Sequence, residues 1–436
     1  MGAAFLGKTT SFYDFYCYIA RLNFISKFMR KYLLLLAVIL MAVTAFSQDF
    51  SNKGKDFWVG YGYHTQMTTA NGNSQQMVLY FATDQVTNIT ISIPSVGYTQ
   101  NITTGAAPTV TTSAAIPKAG AQDARLKYEG LYNTGIHITS DKPMVAYAHI
   151  YNGNCSGATI LYPTNTLGKE YYSVNYKNWS NFDSSQCWFY VEAVDTGTTT
   201  IEITPQAGQA GVVTYGGWVA GTTYTINLTQ GQIYNVEGIL TTFSNPYKGV
   251  DLTGSKIKSI STGNGCKRIA VYSGSGRISI TCNLNSSSSD NYMVQAVPKT
   301  AWGKKYLTTQ ALGLIDVTHP LGNAAFNLYR VCVADPTTVV KINGIVTALP
   351  LQGNFYYEIP STNQPQMIEA DKPIMVAQYF TSSGACGNGA PGDPEVIYLS
   401  AVEQNINIVQ WNATPNFAIS NHYLKAVPPL GITTLR

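Results

Sequence analysis

Residues 188–203 read WFYVEAVDTGTTTIEI and residues 326–342 read FNLYRVCVADPTTVVKI. In each, a run of apolar and aromatic residues gives way to a turn, Asp195-Thr196-Gly197 or Asp335-Pro336, and then to residues that alternate in polarity. Alternation with period two marks a half-buried strand, and Asp followed by Gly or Pro suits the turn between two of them. The pattern occurs once more in MVLYFATDQVTNITISI, from Met77 to Ile93. Copies of one strand pair along a chain predict an all-β fold built on an internal repeat.

The surroundings of these pairs repeat as well. About twenty residues before each stands a glycine-lysine opening: GKDFWVGY from Gly54, GKEYYSVNY from Gly168 and GKKYLTTQ from Gly303. Later in each copy comes another strand: TSDKPMVAYAHIY around Asp141, GCKRIAVYSG around Cys266 and ADKPIMVAQYF around Asp371. Asp-Lys-Pro suits a turn feeding a strand, because proline is tolerated at a strand's first position. The linkers LYPTNTLGKEY and AVPKTAWGKKY then lead into the next copy. The repeat is roughly 100–135 residues long, too large for a propeller blade and right for a β-sandwich with its own core. The expected organisation is tandem β-sandwich-like modules at 48–167, 168–302 and 303–402. A truncated fourth begins at 403–436, with QNINIVQW from Gln404 and HYLKAVPPLGITTLR from His422. That last pair either completes the third module or starts a unit of a longer product, and the second is expected. A module can also lend a strand to its neighbour, since the phase of a repeat need not be the boundary of a fold.

Composition agrees. Of 436 residues only 11% are charged, 45% are hydrophobic and 12% aromatic, with 30 Tyr and 38 Gly. Disordered and coiled-coil chains carry more charge and fewer rings. The 27 Lys and Arg and 23 Asp and Glu include five bases (Lys8, Arg21, Lys27, Arg30, Lys31) and one acid (Asp14) within residues 1–47, leaving 22 of each sign beyond. A neutral body lacks the basic footprint that nucleic acid requires.

Residues 29–47, MRKYLLLLAVILMAVTAFS, have the basic start, apolar run and small-residue end of a secretory signal peptide, which places the true start at Met29 and makes 1–28 an upstream extension. No later stretch reaches about 18 apolar residues, so the mature chain is expected outside the cell or at its surface without a transmembrane segment. That compartment permits disulfides. The candidates are Cys155, Cys187, Cys266, Cys282, Cys332 and Cys386. Loop closure favours Cys266 with Cys282, across what reads as a hairpin, then Cys155 with Cys187, leaving Cys332 with Cys386; buried free thiols are the alternative.

The NKGKDFWVGY opening at Asn52, SDKPMVAY at Ser140, RIAVYSGSGRISITC at Arg268 and QAVPKTAWGKKYLTT at Gln295 together resemble the N-terminal region of the IgGFc-binding protein family, from Asn52 to about residue 436. Such regions occur also in bacterial secreted and surface proteins, notably of gliding Bacteroidetes. The resemblance implies surface display and adhesion or matrix binding. It assigns no contact residue, so immunoglobulin binding does not carry over. Copy two departs from the pattern, with Cys266-Lys267-Arg268 in place of Asp-Lys-Pro.

Catalysis finds no support. The five histidines include no HExxH pair, and there is no GxSxG elbow, Walker A or dinucleotide loop, so no catalytic residue and no cofactor is expected. Asp393 and Glu395, in the glycine-rich GNGAPGDPEV, are the one close carboxylate pair in such a loop. They could take calcium, though a solvated turn explains them as simply. Trp58, Tyr172 and Tyr306 sit at equivalent places in the openings and are expected in cores. Tyr61 and Tyr63 alternate with glycines beside His64, a cluster suited to stacking on a sugar if exposed. Loops 94–130, 205–222 and 282–291 are where a sandwich carries recognition. The expected function is non-enzymatic contact with an extracellular protein or glycan. The alternatives are a structural spacer stalk and a carbohydrate-processing or carbohydrate-binding accessory module.

Overall fold

The computed structural model describes residues 52–405 apart from 69–70, 262–264, 283–287, 310, 313–323 and 387–391, together with 426–428. The expected leader and most of the expected fourth copy lie outside the described residues. Within them the chain is all β, with antiparallel strands joined by turns and short 3-10 segments.

One long strand organises each unit. In the first, Ile136–Tyr151 bends at Asp141-Lys142-Pro143. Before the bend it pairs with Asn88–Ile93 and after it with Gln76–Thr83 and Ser156–Leu161, while Lys53–Val59 runs along both parts with a register shift between Gly54 and Asp56. A single strand therefore serves two layers, and the layers close on each other as a sandwich. Ile89, Ile91 and Ile93 of one layer meet Met77, Leu79 and Phe81 of the other in a common core. The third unit repeats this. Met367–Phe380 bends at Asp371-Lys372-Pro373, pairing first with Val340–Ile342, then with Asn327–Val333 and Glu395–Tyr398, while Gly303–Leu307 runs along both parts with a register shift between Gly303 and Lys305. The aspartate of the bend does the same work both times: Asp141 Oδ1 accepts the Asn88 N–H and Asp371 Oδ1 the Val339 N–H, each at 2.8 Å.

The middle unit lacks the Asp-Lys-Pro step, and there the long strand is broken in two. Lys256–Ile260 pairs with Glu170–Tyr172 and Thr198–Thr204, while Ile269–Ile278 pairs with Cys187–Ala193 and Asp290–Gln295. Arg268 now faces the turn from the other side, its N–H donating to Asp195 Oδ2 at 2.8 Å and its guanidinium pairing with the same carboxylate. A strand is also lent across a boundary, as Gly130–Tyr132 pairs with Ile233–Asn235 at the edge of the second unit's sheet.

The glycines of the openings have a steric reason. A Cβ at Gly54 would lie 2.2 Å from Pro163 Cβ, one at Gly168 2.4 Å from Pro298 Cβ, and one at Gly303 2.2 Å from Ala401 Cβ. Each unit's first strand is thus pressed against the linker that closes the unit, and no other residue fits. Behind Gly168 and Gly303 a tyrosine hydroxyl, Tyr171 or Tyr306, accepts the glycine N–H at 2.7 and 3.1 Å.

The units are not beads on a string. Trp188, Tyr190, Tyr272 and Met293 on the outer face of the second unit's sheet share a buried cluster with Trp58, Tyr61 and Tyr63 of the first. Tyr172, Val174 and Tyr176 share another with Leu328, Phe355, Met375 and Tyr379 of the third. That is why Cys187–Ala193 and Asn327–Val333 are buried on both faces. Each large side chain so buried contributes about 2–3 kcal/mol.

Candidate functional site

A cleft of about 420 Å³ opens between the second and third units. One wall is the loop Gln206–Ala210 with Ala220 and Gly221; the other is the tip Gln352-Gly353-Asn354; Asp251, Thr253 and Tyr356 line it between them. The tip is a tight hairpin turn. Gly353 and Asn354 take φ of +53° and +56°, and the Phe355 N–H closes the turn on Gln352 O at 2.9 Å. Two successive left-handed residues favour Gly and Asn, the pair present. Phe355 then plunges into the seam, stacked on Tyr172 at 4.7 Å, and holds the tip in place. The opposite wall is tied by Gln206 N–H to Ser255 Oγ at 3.0 Å and by Gly221 N–H to Pro205 O at 2.8 Å.

Beneath the cleft lies Arg330, only 3% exposed. Its guanidinium pairs with Asp251 at 2.8 Å and Glu358 at 2.9 Å, and donates to Asn175 O at 2.9 Å and Thr253 Oγ1 at 2.8 Å. The rings of Tyr176, Tyr356 and Tyr379 surround it at 4.3–5.2 Å. Arginine suits this place because its planar fork satisfies several acceptors while its faces stack on rings. Asp251, which lines the cleft, is therefore a paired charge.

The residues expected to stack on a sugar lie elsewhere. Tyr61, Tyr63 and His64 are 0%, 2% and 0% exposed, so the expected exposure is not found. Their segment lies flat on the second unit: a Cβ at Gly62 would meet the Trp188 ring at 2.6 Å, and the Gly60 N–H and O both bond Tyr190 Oη. The glycines between the aromatics serve this close approach. Tyr63 Oη donates to Ser184 O at 2.8 Å, and His64 Nδ1 accepts the Gln66 N–H at 3.0 Å. Burial, with the nearby Arg277 charge, holds His64 down to about 3, so it is neutral.

Asp393 and Glu395 fall beside Asp290, where edge strands of all three units meet. Burial first, and the Asp393 charge with it, push Asp290 up to about 7 against the N–H groups of Ser156 and Asn291. Burial and Asp290 likewise raise Glu395. Asp393 itself accepts from Ser288 Oγ at 3.2 Å. Among the described residues no group of three or more His, Cys, Asp or Glu is arranged to hold a metal ion.

The cysteine pairing differs from the expected one. Cys282 is bonded to Cys386, joining the ends of the second and third units' central strands, and Cys155, Cys187, Cys266 and Cys332 are free. Cys266 and Cys282 do not flank a hairpin. Ile269–Ile278 between them is one continuous strand, which holds its two ends about 30 Å apart. Cys187 is shut in the second core, its thiol 3.1 Å from Val250 O; Cys155 lies by Ser289 O at 3.8 Å; Cys332 is in the seam.

Arg330 and the 352–354 tip were not singled out from the sequence. A signal for the arginine exists: it interrupts the apolar run FNLYRVCV on the face of Leu328 and Cys332, where a lone charge must find partners. Loop 205–222, by contrast, does line the cleft.

The profile of the IgGFc binding protein family matches residues 157–434, more than half of the chain, and the chain belongs to that family. The match is narrower than the resemblance read from Asn52, and the first unit is tied to the others by topology. No curated protein and no solved structure matches the chain.

Proposed function

We propose that this chain is an exported recognition protein, displayed at or near a cell surface, that contacts an extracellular protein or glycan without transforming it. The family is one of binding domains, and the family and the Cys282–Cys386 bond both fit an extracellular location. The observation that carries the reading is the cleft itself: two tethered walls present Gln206, Gln209, Gln352 and Asn354, whose side chains bond to no other described residue. Loops held on a rigid scaffold are where β-sandwiches recognise partners. The test is retention of the purified mature chain on cells and on extracellular matrix, with and without Gln209→Trp to fill the cleft. Retention that the tryptophan abolishes supports the reading; no retention on any surface overturns it.

A second reading, a spacer within a larger surface protein, draws support from the two buried seams, which stiffen the row of units. A spacer predicts no partner at all for the isolated chain and no effect of filling the cleft.

A further inference from the structure

The cleft differs chemically from most small-molecule sites. Its apolar side chains are only Ala207, Ala210 and Ala220, whereas ligand pockets for apolar groups are lined mainly by larger aliphatic and aromatic residues. No Lys or Arg lines it, and the one charged lining residue, Asp251, is negative and paired with Arg330 at 2.8 Å. A phosphate, sulfate or carboxylate would find no cation there, and anion sites depend on one or on a cradle of N–H groups. What the walls do offer is carboxamide. Gln206 and Gln209 project from one side and Gln352 and Asn354 from the other, and none of these side chains bonds to another described residue.

A carboxamide carries two donors and an acceptor side by side, and Tyr356 adds a hydroxyl that can act either way. Partners of that kind match a ligand whose groups also donate and accept at once, which means a dense array of hydroxyls. We infer that the cleft between the second and third units is a subsite for a neutral oligosaccharide. This rests on the reading of the chain as a recognition protein and names its ligand class. At about 420 Å³ the cleft has room for about one or two pyranose rings. The closed turn at Gly353-Asn354 and the buried Phe355 keep the third unit's wall in position before the ligand arrives, so little ordering cost falls on binding.

The test uses the whole mature chain on an array of neutral and of sialylated or sulfated glycans, followed by titration of a bound neutral oligosaccharide. Gln209 and Gln352 are exposed, so Gln209→Ala and Gln352→Ala should leave the melting temperature unchanged. Each should weaken binding about three- to tenfold and the pair about ten- to a hundredfold, as expected for losing neutral hydrogen bonds. Binding confined to the acidic glycans, or neutral binding untouched by the double variant, overturns the inference. Retention on cells with no glycan bound also overturns it while leaving the recognition reading standing. Loss of both removes the two together.

Discussion

Replacing Arg330 by Met should destabilise the protein by about 4 kcal/mol, and the size of the loss follows from which of its partners can manage without it. Asn175 O keeps the Tyr379 hydroxyl at 2.8 Å and Thr253 Oγ1 at 2.9 Å, so it is not orphaned. Glu358 is 37% exposed and can turn to water, a loss of at most about 1 kcal/mol. Asp251 is different. At 13% exposure its carboxylate would be left near the seam with only the Thr253 N–H and hydroxyl, and stranding one partner of a buried pair costs about 3–5 kcal/mol. Methionine fills much of the arginine stem's volume, which keeps cavity formation a minor contribution. Urea denaturation measures the loss, and the melting temperature should fall by about 5 °C. Arg330→Met/Asp251→Asn should recover roughly half of it, because the stranded charge has gone. A single variant that loses less than about 1 kcal/mol, or a second substitution that restores nothing, would refute the account of the seam.

The opening glycines should be intolerant: Gly168→Ala forces a Cβ to within 2.4 Å of Pro298 and should cost about 1–3 kcal/mol by chemical denaturation, whereas the same change at exposed Gly105, with open space around it, should cost under 1 kcal/mol. Stability should decline from about pH 6.5 to pH 8. Burial raises Asp290 to about 7 and Glu237 to about 8, so the folded state keeps protons that the unfolded state releases from about pH 4 upward. Between about pH 4 and 6.5 this is only partly offset by His64 and His149, held by burial to about 3 and 4, whose protonation favours the unfolded chain, because burial raises Glu192 and Glu395 as well. Above that range the histidines no longer contribute and only the carboxyls remain, so Glu237→Gln should flatten the decline in a pH series of melting curves. Reducing the Cys282–Cys386 bond, which closes a sequence separation of 104, should lower stability by about 2–4 kcal/mol, and Cys282→Ser/Cys386→Ser should abolish the response to reductant.

Period and punctuation made most of the fold readable. The second strand of the 188–203 pair buries alternate residues as written, with Thr199, Ile201 and Ile203 inside. The departure of copy two from Asp-Lys-Pro coincides with the division of its central strand into Lys256–Ile260 and Ile269–Ile278. What escaped was whatever depends on contact between units. The glycines in WVGYGYH read as freedom and exposure, yet they are small because Trp188 and Tyr190 lie against the backbone. The segment from Cys266 to Cys282 reads as a hairpin because Ser-Gly-Ser-Gly resembles a turn. There Gly274 and Gly276 make room for the rings of Trp188 and Tyr63, with added Cβ atoms falling at 2.3 and 2.6 Å. In these two stretches glycine marks a seam and not a bend, and no single-unit pattern reveals that.

The seams also decide where recognition can sit. Had the units been flexibly linked, weak contacts on separate modules would have to combine through effective concentration. Instead Tyr190 of the second unit and Arg330 of the third occupy corresponding strand positions, each facing the backbone that follows the preceding unit's first strand. The tyrosine closes its seam with one hydroxyl on Gly60. The arginine needs Asp251 and Glu358 as counter-ions, and those polar partners cannot be sealed under apolar side chains as cheaply as a tyrosine ring. The second seam therefore stays open at its rim, over Asp251 and Tyr356, where the first is closed by Tyr61 and Tyr63. The boundary that carries the ion pairs is thus also the one where the cleft lies, between units two and three.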